Sequence, residues 1–283
     1  MHNFGALPDR YTEFIKSRIA VLPVPFDLTS TWIRGTDRGP AAMMEASEHL
    51  ELFDRETRSE VYRCGIFTDE PVKAADSESM IEAVYQRVRY LINKHKFVVT
   101  VGGEHTVSVG SVKAHSEAYP GLCVLQLDAH SDMRDSYQGD LLSHACTMAR
   151  IREIVPRITA VGVRSMDSSE LSAVESVHTF PARLINRKGN WQNGVIRSLG
   201  RDVYITIDLD VFDPAFMPST GTPEPGGLDW YAVTGLLKKV SKKKTIRGFD
   251  VVELCPSSNK APDFLAAKLV YKLLSYVFRK EDS

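Results

Sequence analysis

Asp128, His130 and Asp132 occupy alternate positions directly after an apolar run at residues 122–127. On an extended backbone such residues point to one side and can converge on one spot. Asp208 and Asp210 repeat the arrangement after residues 203–207, and Gly102, Gly103, Glu104 and His105 follow residues 97–101. Taken singly, Asp208 and Asp210 read more often as a turn or a cap than as a ligand pair, and His105 as a cap or packing residue. Together with the Asp128 triplet, these clusters read as a site at the carboxyl edge of one sheet, where open parallel sheets hold ligands.

Asp128, Asp132, Asp208 and Asp210 crowded in an apolar crevice would raise one another's pKa unless cations neutralised them. With His105 and His130 they make six ligands, which suit two ions better than one. Carboxylates with imidazole and no thiolate favour Mn²⁺ over structural zinc, with Zn²⁺, Co²⁺, Fe²⁺ and Ni²⁺ open on ligand type. Two such ions lower the pKa of a shared water, so the chemistry implied is metal-assisted hydrolysis.

The elements that must deliver these groups alternate along the chain. Apolar runs at 18–24, 97–101, 122–127, 158–163, 203–207 and 247–252 read as strands, with weaker candidates at 62–67 and 177–180. Helices are expected from Gly39 and Pro40, from Asp76 as a cap, after His105 to about Tyr119, around 146–154, from about Asp229 to Val240, and from Pro262 onward. The last carries an apolar face broad enough for core packing and a subunit contact. Roughly eight strands separated by helices, without a linker, predict a single α/β domain over residues 1–283. Its three layers would enclose a mainly parallel sheet.

Composition narrows the partner. Thirty-five basic and thirty-six acidic residues leave a net charge of −1, which favours neither nucleic acid nor an acidic membrane. No window approaches the roughly 18 apolar residues of a membrane span, and no GxGxxG or Walker loop supports nucleotide binding. The four cysteines lie far apart and read as reduced thiols, so the chain is expected to be cytoplasmic and its partner a small molecule.

Residues 102–105 and 128–132, Ser143 with His144, and the run 208–228 resemble motifs of the ureohydrolase family of arginases and agmatinases. Segments 35–40 and 248–253 resemble two more, so the likeness spans nearly the whole chain in order. The resemblance implies an arginase-like fold and a hydrolase with two Mn²⁺ per chain that releases urea from a guanidino substrate. Carried over position by position, His105 and Asp132 with Asp128 and Asp208 would hold one ion. His130 and Asp210 would hold the other, with Asp128 and Asp208 bridging. Asp132 would pass a proton to the leaving amine, His144 would shuttle protons or orient substrate, and Glu253 would pair with the guanidinium. A homotrimer or homohexamer is also implied.

The tail beyond the guanidinium is read from the loop after Asp132. It lacks asparagine and is similar to the agmatinase pattern rather than that of arginases. Asp135, Asp140 and Glu224 suit an amine-ended substrate, or they cap turns; Arg134 could instead receive a carboxylate. Agmatine, giving putrescine and urea, leads, with arginine, guanidinobutyrate and guanidine as alternatives. Ala145 and Cys146 depart from the family, where glycine often follows the histidine, and Tyr137 and Trp230 could shape the pocket. Two rivals from other classes are a non-catalytic metal- or polyamine-binding regulator and a single-zinc amidohydrolase of deacetylase type.

Overall fold

The computed structural model describes residues 3–185 and 189–279. Its sheet is built from β1 (Ile19–Val24), β2 (Ile66–Thr68), β3 (Phe97–Gly102), β4 (Cys123–Leu127), β5 (Ile158–Val161), β6 (His178–Phe180), β7 (Asp202–Asp208) and β8 (Thr245–Val252). All eight pair in parallel, in the order β2-β1-β3-β8-β7-β4-β5-β6. Strands covered on both faces need apolar side chains at every position, which is why the central ones read as unbroken hydrophobic runs.

Successive residues of one strand serve opposite layers. Ile19 and Val21 join the core shared with α1 (Gly39–Ser47), α7 (Trp191–Ser198), α8 (Trp230–Lys243) and α9 (Ala261–Val277). Ala20 and Leu22 face α2 (Ser77–Asn93). α3 (Val107–Ala118) and α4 (Thr147–Ile154) continue that second layer through Val109, Val112, Met148 and Ile151. Two short helices, α5 (Leu171–Glu175) and α6 (Ala182–Ile185), lie between β5 and α7. The arrangement is the three-layer α/β fold expected from the sequence.

Local signals set several boundaries. Asp76 accepts the Ser79 amide at 2.8 Å, with Ser79 answering in a capping box. Asp229 accepts from Ala232 at 2.7 Å, starting α8. The weak strand expected at 62–67 resolves into a 3₁₀ turn at Val61–Cys64 followed by β2. No helix of the described residues is long and apolar enough to cross a membrane.

The strand order decides where the chemistry gathers. β3, β8, β7 and β4 are consecutive neighbours in the sheet's middle, and each ends in acidic or imidazole residues. At about 4.8 Å between strands, these four endpoints span only about 15 Å.

Candidate metal centre and substrate cleft

β4 ends at Leu127, and Asp128, His130 and Asp132 follow without the regular strand continuing. Asp132 sits at φ 54°, a left-handed backbone that Asp tolerates better than most residues. Its carbonyl accepts the Met148 and Ala149 amides at 2.9 and 3.1 Å, so the amino end of α4 holds the strained turn in place. Glu170 secures the same loop by accepting from Ser131 Oγ at 2.6 Å and the Met133 amide at 2.8 Å. Glu253, one residue past β8, also has positive φ, at 65°, and its carboxylate accepts the His105 amide at 2.7 Å.

Two ligand groups form around Asp128. His105, Asp128 and Asp132 bring one ligand atom each within 4.8 Å of one another, and Asp128, His130 and Asp210 do the same. His105 Nδ1 lies 2.9 Å from Asp132, 3.3 Å from Asp128 and 3.5 Å from Asp208. His130 Nδ1 lies 2.8 Å from Asp210 and 3.8 Å from Asp128. The six residues singled out as metal ligands thus meet in one place, and both imidazoles turn Nδ1 inward.

Groups behind the ligands fix their directions. His105 Nε2 lies 2.8 Å from Thr206 Oγ1, which donates to Asp250 at 2.7 Å; Tyr204 donates to the other Asp250 oxygen at 2.8 Å. Gln126 donates to Asp128 at 2.9 Å. Asp210 accepts the Ala129 amide at 2.9 Å, and Asp208 accepts the Asp210 amide at 2.9 Å. Such outer contacts set the rotamer and tautomer of a metal ligand.

Protein charges alone leave this centre unbalanced. Burial, then the Asp132 and Asp210 charges, push Asp128 up to about 7. Burial with Asp210 and Asp128 carries Asp208 well above the carboxylate range, and burial with Glu104 does the same to Glu253. Although burial favours the neutral forms, the close pair of His130 and Asp210 resists it, taking His130 to about 10 and Asp210 to about 2. His105 rises against its own burial because Asp128 and Asp132 face it. Oxygen and nitrogen donors at this density, with carboxylates driven toward protonation, fit divalent cations.

A cleft of about 260 Å³ opens onto the centre, lined by His130, Asp132, Asp208, Asp210, His144 and Glu253 at its floor and wall. Trp32, Ile33, Tyr137, Met166 and Asp167 extend it outward, and Trp32 is 77% exposed. Tyr137 meets the His144 ring edge-on at 6.1 Å.

The remaining expected residues fall elsewhere or are engaged. Asp140 accepts the Leu142 amide at 2.8 Å in an exposed turn and does not line the cleft. Glu224 approaches His130 Nε2 at 4.0 Å, behind the imidazole. Arg134 lines the cleft, but its guanidinium stacks on Tyr137 and lies 3.6 Å from Asp167. Trp230 opens α8 and packs on the core, away from the cleft. Ala145 lines the cleft, whereas Cys146 is buried, its thiol pushed up to about 11 by burial. All four cysteines are free.

Sequence reasoning passed over Thr29, Glu104, Gln126, Thr206 and Asp250. Glu104 and Asp250 sit inside motifs already noted, at 102–105 and 248–253; Thr29 and Thr206 carry no sequence signal of their own.

Comparison with known proteins agrees with this geometry. A sequence model described as the arginase family matches residues 17–275. The N(1)-aminopropylagmatine ureohydrolase of Thermus thermophilus is 38% identical over 269 residues, 93% of this chain and 91% of the relative. Its namesake in Synechocystis is 35% identical over 277 residues, 94% of this chain and 90% of the relative. The crystal structure of agmatine ureohydrolase from Thermoplasma volcanium superimposes with a TM-score of 0.90 at 30% identity, covering 99% of this chain and 95% of that one. With the matched motifs converging at four neighbouring strand ends, the chain belongs to the arginase family, metal-dependent ureohydrolases that split a guanidino group into urea and an amine.

Proposed function

We propose that the substrate is an agmatine-type guanidine, cationic at both ends, with the N1-aminopropyl form of agmatine preferred over agmatine itself. The observation that carries this reading is the acidity of the cleft. Beyond the ligand carboxylates, whose charge the two ions would balance, Glu253 lines its floor and Asp167 its outer part, while Arg134 is covered by Tyr137 and faces Asp167. A carboxylate-ended tail such as that of arginine would meet repulsion there; an amine-ended one meets attraction. The exposed Trp32 and Met166 offer apolar surface for methylenes beyond the four-carbon length, and a cation over the Trp32 face would be attracted. The names of the Thermus and Synechocystis relatives favour the longer substrate.

In this reading His105 and Asp132 would hold one Mn²⁺ and His130 and Asp210 the other, with Asp128 and Asp208 available to both. When bound, the ion pair supplies a water of lowered pKa as the nucleophile. Glu253 takes the planar guanidinium through charge-assisted contacts, for which its buried carboxylate is held by the His105 amide. Asp132 protonates the departing amine, and His144 exchanges protons with the cleft and orients the tail. Glu224 and Asp140 act behind these groups, Glu224 on the His130 ring and Asp140 in the turn carrying Tyr137. The enzyme works in the cytoplasm as a homotrimer or homohexamer, with exposed apolar side chains such as Phe264 and Tyr231 available to subunit contacts.

The test is urea release by Mn²⁺-loaded enzyme from N1-aminopropylagmatine, agmatine, arginine, guanidinobutyrate and guanidine. The reading expects kcat/KM to fall in roughly that order, with both agmatine types at least about tenfold above arginine, one power of ten being about 1.4 kcal/mol. Arginine turned over as fast as agmatine would overturn it. Absence of urea from every guanidine would favour the regulator instead.

A further inference from the structure

Behind His144 a half-buried chain of hydrogen bonds runs to the buried Glu104. His144 Nδ1 is 3.0 Å from Thr29 Oγ1, which is 3.0 Å from Glu104 Oε1. The His144 main-chain N–H donates to the same hydroxyl at 2.9 Å. Glu104 is fully buried, and its Oε2 accepts the Leu28 and Thr29 amides at 2.8 and 2.7 Å. The loop after β1 reaches this point because the Gly103 and Glu104 amides donate to Val24 and Phe26 carbonyls at 2.9 and 2.8 Å. A side chain at 103 would collide with the Phe26 carbonyl.

Counting hydrogens gives the polarity. A threonine hydroxyl offers one hydrogen and accepts two. Burial raises the Glu104 pKa, but the Leu28 and Thr29 amides on Oε2 and the Thr29 hydroxyl at Oε1 oppose that, and as a carboxylate it only accepts; the His144 amide only donates. Thr29 therefore gives its hydrogen to Glu104, and its remaining lone pair faces Nδ1, which must carry the proton. The one competitor, Ser143 Oγ, is 3.4 Å from Nδ1, too long to reverse this.

We infer that Glu104 and Thr29 are positioning residues that hold His144 in the Nδ1–H tautomer and leave Nε2 as the acceptor on the cleft side. The inference rests on the reading of His144 as a group that handles substrate. A neutral Nε2 acceptor can take a hydrogen bond or a proton from a cationic substrate. In the opposite tautomer Nε2–H would confront the substrate's own N–H groups.

The hydrogen bonds also foretell what Glu104→Gln does. Oε2 receives two main-chain donors, so the glutamine must put its carbonyl oxygen there and turn its NH₂ toward Thr29. The amide then donates to Thr29, Thr29 donates to Nδ1, and the tautomer inverts without a change of shape.

The experiment is long-range ¹H–¹⁵N correlation on the imidazole nitrogens of enzyme loaded with diamagnetic Mg²⁺ or Zn²⁺. The His144 signals are assigned by their loss in His144→Gln. Wild type should show Nδ1 protonated and Nε2 pyridine-like. Glu104→Gln should exchange the two and Thr29→Val should mix them, with kcat of the Mn²⁺ enzyme lower by at least about tenfold and KM changed little. Thr29→Ser should restore both the spectrum and kcat. A wild-type ring protonated at Nε2, or a Glu104→Gln spectrum identical to wild type, overturns the relay. If either variant fails to fold, the wild-type spectrum still decides. An unchanged kcat in His144→Gln would instead refute the reading of His144, leaving the spectrum to judge the relay.

Discussion

Thr206→Val isolates the support behind one proposed metal ligand, His105, without touching the candidate ligands themselves. The hydroxyl accepts from His105 Nε2 at 2.8 Å and donates to Asp250 at 2.7 Å, all three residues being 0–1% exposed. Valine has nearly the same volume, so no cavity opens. What is lost is one acceptor for a buried imidazole N–H and one donor for a buried carboxylate. Each unsatisfied group costs about 1–3 kcal/mol, offset in part because Asp250 keeps Tyr204 at 2.8 Å. The metal-free protein should therefore lose about 2–4 kcal/mol in denaturant unfolding. Freed of its partner, the His105 ring can turn or change tautomer, and loss of such outer support typically weakens metal binding about 10–100-fold. Calorimetric Mn²⁺ titration should show the weakening at one of two sites, with the other little changed. Equal affinity at both sites in the variant and wild type would refute the claim that Thr206 aims His105 at an ion.

Other perturbations separate the metal centre from the substrate groups. Asp128→Asn removes the carboxylate common to both ligand groups, so elemental analysis should find metal content reduced along with activity; full occupancy would contradict bridging. Glu253→Gln keeps the shape and the His105 amide contact but removes the charge proposed to face the guanidinium. Metal content should stay near wild type while kcat/KM falls about 10²-fold or more, one lost charged hydrogen bond being worth about 1.5–3 kcal/mol and its burial adding to that. Far from the cleft, burial raises Glu56, but hydrogen bonds from Lys238, Lys272 and Tyr276 outweigh it and bring the group from 4.5 down to about 2. A carboxyl depressed on folding contributes stability that is present above its unfolded pKa and lost as pH falls toward the folded one. Glu56→Gln should thus flatten the acid limb of the stability curve between roughly pH 4.5 and 2. The effect should stay below about 1 kcal/mol because the group is partly solvated, and an unaltered acid limb would remove Glu56 from that network.

The candidate metal ligands stood out in the sequence because a buried parallel strand must be apolar throughout. Polar groups placed at its carboxyl end, as at Asp128, His130 and Asp208, therefore stand out. The groups that aim them did not, because they depend on which strands are neighbours. Thr206 and Asp250 are register partners across β7 and β8, 44 residues apart in sequence, and nothing local to either announces the pairing. Thr29 is similar, since it meets Glu104 and His144 only after three segments fold together. Tail recognition was read from the loop after Asp132 and from Glu224; in the structure the Asp140 side chain serves a turn, Glu224 lies 4.0 Å from His130 Nε2, and Trp32 and Asp167 line the cleft. The short helices α5, α6 and α7 escaped notice because one or two turns carry too little periodicity to be distinguished from loop.

Diffraction from Mn²⁺-soaked crystals at the manganese absorption edge tests the central claim most directly. Two anomalous peaks per chain are expected, one beside His105 Nδ1 and one beside His130 Nδ1, with Asp128 and Asp208 reaching both. A single peak, as a mononuclear amidohydrolase would give, or peaks away from these four strand ends, would contradict it.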